Sequence, residues 1–404
     1  MNNLGKRIKK IVYLFLFCKT SFSLSEILQI PDPIMLKKVY NIFEAKNVEY
    51  IAEFSRYQDF VGYGELPNCL NETDIKTLNS TVNWSDAQAY QIKSKKTLYI
   101  AKMHKAFVAS SYLGTVFDQK QQFLFDLDAI PGGGIFWPVQ QDIKSSNVLK
   151  YKKVATVQGP TFFYHWVIDR LPSILLLRDL ILRDPEIKLL INTTGGQASG
   201  YVQEYLDLLG IPREQRIVVP ARTLCYADTI YFATPFLMEP IPRKLLLRLR
   251  DELVEAANKK VSSQIYKDNL IVVIQRKEAN RRISNLQDLL VMVKTRFPDC
   301  QIVEFNGDMS VSKQIQIFNH ARLIIGLMAS GLTNILYAKA GTQVIELHPI
   351  SSCSQGAEWC WWLSSAVGLH YWVLPTQFGV YDCEVKCPFD GLRNILNKIV
   401  LENK

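Results

Sequence analysis

Three stretches of this chain hold residue types and spacings that could do chemistry. In the first, Gly159 to Arg183, His165 and Asp169 stand four apart and so share one face of an apolar helix. A histidine and a carboxylate in contact make an acid/base pair, and equally a capping or core hydrogen bond. In the second, Gln275 to Arg282, the cations Arg276, Lys277, Arg281 and Arg282 follow an apolar run. At the carboxyl end of a strand they would neutralise a diphosphate, the arginines bidentately; otherwise they are a solvated loop. In the third, Arg322 to Pro349, the small residues Ala329, Ser330 and Gly331 lie between an apolar run and a helical one. Such a turn lets an anion reach backbone N–H groups at a helix start. Glu346, expected at the carboxyl end of the next strand, would suit ribose hydroxyls. The reading is a nucleotide diphosphate site, against a plain crossover with no ligand.

The elements that must position these residues follow from periodicity. Strands are expected at Leu270–Ile274, Gln301–Glu304, Leu323–Ile325, Val344–Leu347 and Tyr371–Leu374, with helices at Leu286–Arg296, Lys313–Asn319, Leu332–Ala338 and Glu358–Val367 between them. That alternation implies a parallel, doubly wound sheet. Ser284 and Gln287 have the spacing of a capping box. Earlier, Thr97–Lys102, Ala106–Ser111 and Gln122–Leu127 read as a β-meander, and Ile187–Ile191, Arg216–Val219 and Thr229–Ala233 as further strands. Pro172 either kinks the first helix or begins a second. The three prolines between Pro235 and Pro242 mark a linker. We therefore divide the chain into a basic, apolar segment 1–30, a domain 31–234 and a domain 243–404.

At 404 residues two domains are the natural expectation, and 48% hydrophobic with 21% charged residues describes an ordinary globular chain. A net charge of +9 suits anionic partners, but no zinc spacing or aromatic-basic module points to nucleic acid. The apolar run Ile11–Cys18 behind Lys6, Arg7, Lys9 and Lys10 is too short to span a bilayer, which takes about 20 residues. It fits a signal-peptide core, a patch resting on a membrane surface, or a plain helix. Of eight cysteines, Cys353, Cys360, Cys383 and Cys387 crowd near the end, and buried free thiols are the expectation. The one Asp-x-Asp, Asp126-Leu127-Asp128, reads as a turn, so no metal and no cofactor is expected.

Together and in this order, the three stretches resemble glycosyltransferase family 61, which groups capsular-polysaccharide-type enzymes with plant xylosyl- and arabinosyltransferases and secretory-pathway O-GlcNAc transferases. Tyr164, His165, Asp169 and Pro172 match one family segment. Arg276, Arg281, Arg282 and Asn285 match a second. Gln314 and Phe318 follow, and Gly326, Gly331, Leu332, Thr333 and Asn334 match a third, with Gly341 and Glu346 in register. The resemblance implies two Rossmann-like α/β domains facing a cleft, as in GT-B enzymes, with a β-meander in the N-terminal half.

It also implies inverting transfer of a sugar from a nucleotide sugar, UDP-linked, to a hydroxyl of a glycan or glycoconjugate. On that expectation Arg276 and Arg281 hold the diphosphate with N–H groups near Ser330 and Gly331. Glu346 takes the ribose and Asn334 lies near the donor. Asp169 or His165 deprotonates the acceptor, Asp169 being favoured because a carboxylate beside Arg170 stays ionised. Where the family has His-Gly-Ala, this chain has Met328-Ala329-Ser330. The alternatives are an inactive nucleotide-sugar or glycan-binding protein and a non-catalytic subunit of a glycan-assembly complex. The expected location is cytoplasmic or peripheral to a membrane, with the secretory pathway as the alternative.

Overall fold

The computed structural model describes residues 37–39, 48–53, 98–109, 115–118, 122–124, 148–157, 162–193, 200–220, 223–236, 241–261, 269–276, 282–349, 358–376 and 384–402. The basic N-terminal segment, Asp126–Asp128, Lys277, Arg281, Cys353 and Cys383 lie outside the described residues.

The first half is a nine-stranded mixed sheet made of β1 (Lys37–Val39), β2 (Val48–Glu53), β3 (Tyr99–Ala109), β4 (Thr115–Asp118), β5 (Gln122–Leu124), β6 (Val148–Thr156), β7 (Ile187–Thr193), β8 (Arg216–Pro220) and β9 (Leu224–Ala233). The order is β1-β5-β4-β3-β9-β6-β7-β8, with β2 on β3. β6 lies parallel to both β7 and β9, whereas β3 is antiparallel to β9 and to β4. Helices α1 (Leu171–Arg183) and α2 (Gly200–Leu208) make the crossovers between β6, β7 and β8. The expected meander is present from β3 to β5, but its first two segments are one strand. Lys105 adopts φ +49° in the middle of β3. There the buried side chains change phase, from Tyr99, Ala101 and Met103 to Ala106 and Val108, which made one strand read as two.

The second half opens with α3 (Arg243–Lys260) and continues through β10 (Leu270–Ile274), α4 (Leu286–Arg296), β11 (Gln301–Phe305), α5 (Val311–Asn319) and β12 (Ala321–Leu327). A 3-10 helix (Ser330–Tyr337), β13 (Gln343–Pro349), α6 (Glu358–Val367), β14 (His370–Thr376) and α7 (Phe389–Glu402) complete it. All five strands are parallel, in the order β11-β10-β12-β13-β14. Every residue of β10, Leu-Ile-Val-Val-Ile, is buried, as a strand covered on both faces requires. Ile271, Val273, Leu323 and Ile325 face α4 and α7 through Leu289, Val293, Leu392 and Ile395. Leu270, Val272, Ile324 and Val344 face the other way, toward α5, the 3-10 helix and α6. The strand order reverses between β10 and β12, so the crevice of this doubly wound sheet opens beyond their carboxyl ends. The capping box does not form: Asn285 caps α4 without a side-chain bond, and Ser284 Oγ donates to the Val385 carbonyl.

Besides an apolar cluster of its own on each sheet, the two halves share a third. One continuous apolar cluster runs from Trp166, Ile174 and Leu206 through Leu245, Leu249 and Leu253 of α3 to Ile315, Leu336 and Leu363. Polar links cross the same layer. Arg178 pairs with Glu252, Val311 N donates to Glu204 Oε2 at 2.7 Å, and the Tyr337 hydroxyl bonds that of Tyr205 at 2.8 Å. The proline-rich linker is anchored in it, Phe236 and Ile241 being buried. Among the described residues no helix is long and apolar enough to cross a membrane.

Truncating a core leucine forfeits about 2–5 kcal/mol. Leu249→Ala should therefore lower the stability of both halves together, as one shifted calorimetric transition. Two transitions of which only one moves would show that the cores are independent.

Candidate active site

Local sequence dictates an unusual entry to α1. The chain begins to coil at Phe163, and His165–Arg170 forms a π-helical turn. Leu171 N–H reaches the Trp166 carbonyl, five residues back. The ring of Pro172 would collide with a carbonyl four residues back in a regular helix, so the coil is widened before it arrives. Pro172 thus begins a second helix rather than kinking one. Arg170 is fully buried, with its guanidinium 5.0 Å from the Trp166 ring centre and an NH2 bond to the Val157 carbonyl. Burial pushes its pKa down to about 9. Ser173 Oγ donates to the Thr234 carbonyl, tying the start of α1 to the end of β9.

This turn sets His165 and Asp169 in contact, with Nδ1 and Oδ2 2.6 Å apart. The Asp169 side chain is 0% exposed and that of His165 24%. The carboxylate therefore sits behind the imidazole, and the expectation that Asp169 itself meets an acceptor fails on its depth. An ionised carboxylate accepts the Nδ1 proton, which leaves the lone pair on Nε2, and Nε2 has no hydrogen-bond partner among the described residues. The Tyr164 ring lies edge-on to His165, centroids 5.1 Å apart, and against Trp359 of α6 at 4.7 Å.

On the second sheet, the chain leaves β10 at Gln275 and Arg276 and leaves β12 at Met328. Ile274 pairs with Gly326, so the two exits stand side by side at the strand-order reversal. A Cβ on Gly331 would come within 3.0 Å of Ile274 Cγ2, and one on Gly326 within 3.1 Å of Ile274 Cδ1. A methyl group at either position would therefore crowd the Ile274 side chain. Ala329 is extended and caps the 3-10 helix, where a regular helix from Leu332 was expected. Ser330 is exposed at the start of that helix, while Gly331 and Met328 are half-buried. Arg276 is half-buried too, and Arg282 pairs with Glu384, Nε to Oε1 2.5 Å. Arg281 lies outside the described residues, so its expected grip on a diphosphate has no geometry here. Among the described residues no group of His, Cys, Asp and Glu is placed to hold a metal ion.

Two expected donor residues point inward. Asn334 is buried and donates to the Gly331 carbonyl at 3.1 Å, closing the first turn of the 3-10 helix. Glu346 is completely buried, because β13 continues to Pro349 and places it mid-strand rather than at the strand end. One of its oxygens meets His348 Nδ1 at 2.9 Å and the other accepts from Tyr371 OH at 2.6 Å. Burial, then the nearby Glu346 carboxylate, pushes the Cys360 thiol well above its usual range. A carboxylate so enclosed is unavailable to a ribose. Other residues of the family pattern are likewise structural. Asn285 bonds the Cys387 backbone in both directions, Gln314 holds the Met309 carbonyl, and Phe318 packs on Phe305. Missed by sequence reasoning was Trp359, whose only signal is an aromatic residue at a helix start.

Breaking a buried hydrogen-bonded charge costs about 1–3 kcal/mol or more. Glu346→Gln should therefore lower the melting temperature while nucleotide affinity, measured by calorimetric titration, holds. A selective loss of nucleotide binding would return Glu346 to the donor site.

Residues 163–345 match the family model described as Glycosyltransferase 61. No curated protein matches the chain. Among solved structures it is similar to the bacterial iron-containing dodecameric glycosyltransferase TibC from enterotoxigenic E. coli, at 12% identity over 62% of this chain and 75% of that one, with a TM-score of 0.26. Residues 163–345, which carry the dyad, the cationic strand exit and the glycine turn, are thus similar to glycosyltransferase family 61, and that likeness supports a glycosyltransferase.

Proposed function

We propose that this glycosyltransferase inverts the anomeric centre of a nucleotide sugar, with His165 as the base. The observation that carries the reading is the depth order of the dyad: a buried Asp169 behind a partly exposed His165. Asp169 fixes the tautomer and favours the imidazolium that forms as Nε2 takes the acceptor proton. The freed oxygen attacks the anomeric carbon from the face opposite the nucleotide, and the nucleoside diphosphate departs with the bonding electrons. Charge growing on that leaving group is met by Arg276 and by backbone N–H groups at Ser330 and Gly331, an arrangement that works without a divalent ion. The donor side is residues 243–404 and the acceptor side residues 31–234. We take the donor to be UDP-linked and the acceptor to be a glycan.

Loss of a general base costs about 10²–10⁴ in rate. His165→Ala should fall by that range, with Asp169→Asn falling less and both leaving donor binding intact. His165→Gln, whose amide cannot act as the base, should fall as far as His165→Ala. Native turnover in His165→Gln would remove the histidine from the chemistry.

Met328 offers no charge to a diphosphate. A charge-assisted hydrogen bond contributes about 1.5–3 kcal/mol, or roughly 10- to 150-fold in affinity. Titration with uridine nucleotides should show weak native binding, tighter binding in Met328→His and none in Arg276→Ala. Turnover should survive EDTA; manganese-dependent recovery would overturn the cationic reading of the site.

A further inference from the structure

The rim of the dyad carries aromatic surface that the transfer reading leaves unused. Phe162, one turn before His165, is 41% exposed. Tyr164 and Trp359 are half-buried with rings 4.7 Å apart, and Tyr164 touches the His165 ring. Tyr164 comes from the first half and Trp359 from α6 of the second, so this aromatic ledge bridges both halves. Tyr164, Trp359 and Met328 rest on one apolar core, which puts the ledge and the glycine turn at the margin of the same cluster.

We propose that Tyr164 and Trp359, with Phe162 at the outer edge, form the acceptor subsite and that its ligand is a sugar ring, not the hydroxyl side chain of a peptide. The inference rests on the transferase reading and deepens it. A pyranose presents a face of axial C–H bonds with partial positive charge, and an aromatic face is the matching negative quadrupole. A ring stacked there keeps its hydroxyls in the ring plane, at the periphery, where one can point at His165 Nε2. A serine or threonine acceptor has no such face, and needs backbone partners rather than aromatic area. Two half-buried rings already packed together lose little conformational freedom on binding, which suits a shallow sugar site.

The test uses the full chain and three probes: methyl β-xyloside, methyl β-galactoside and a serine-containing peptide. Saturation-transfer NMR reads binding, and the UDP-induced shift in melting temperature reads the donor site separately. At least one glycoside should bind through its axial protons. Trp359→Ala and Tyr164→Leu should weaken it about tenfold, the effect of one good aromatic contact. Trp359→Phe and Tyr164→Phe should restore it, which a merely structural role for these rings would not do in parallel with the UDP shift. Glycoside binding unaltered in Trp359→Ala, failure of both glycosides to bind, or binding of the peptide alone would overturn the subsite. Native protein that binds a glycoside through Trp359 but shows no UDP shift would keep the subsite and defeat the nucleotide-sugar reading instead.

Discussion

A carboxylate taken wholly out of water must be met by a donor, and Asp169 meets His165 Nδ1 at 2.6 Å. Much of the first half exists to hold that pair. The coil widens at His165–Arg170 so that Pro172 can follow, and the widened turn fixes which way the imidazole faces. Arg170, equally buried, is held between Trp166 and the Val157 carbonyl. Ser173 and Thr234 then lock the helix start to the sheet. The two side chains differ in depth, that of Asp169 being 0% exposed and that of His165 24%.

The second half is built around the crevice of its parallel sheet. The strand order of its sheet reverses between β10 and β12, and glycines at Gly326 and Gly331 let the neighbouring exits nest against Ile274. Among the described residues the crevice presents the half-buried Arg276 and a helix start, and Glu346 is buried.

Much of this was legible in the sequence. The five strands and the helices of the second half follow from apolar runs with helical stretches between them, because such a sheet is covered on both faces. The dyad was legible from a spacing of four. Its difference in depth was not, since burial is set by tertiary packing. Glu346 was misplaced because the apolar run stops at Leu347, whereas pairing with β14 continues through Pro349 and Thr376. β6 was missed altogether. Lys150, Lys152 and Lys153 hide it, and only its last three residues are buried. Lys153 stays charged there because Asp184 and Glu186 hold its ammonium, raising its pKa.

The shared helical layer has a consequence for motion. Two sheets joined by a thin hinge can open like a book and admit substrate between the covers. Here the spine would have to tear: α3 lies in the common core, and the Tyr205 and Tyr337 hydroxyls would lose each other inside it. Burial holds both phenols neutral, with pKa values above their ordinary range, so separating them would strand two polar groups in apolar surroundings. Substrate entry and product departure are therefore better served by small displacements at the margin, in side chains and strand exits, than by rigid swinging of one half against the other.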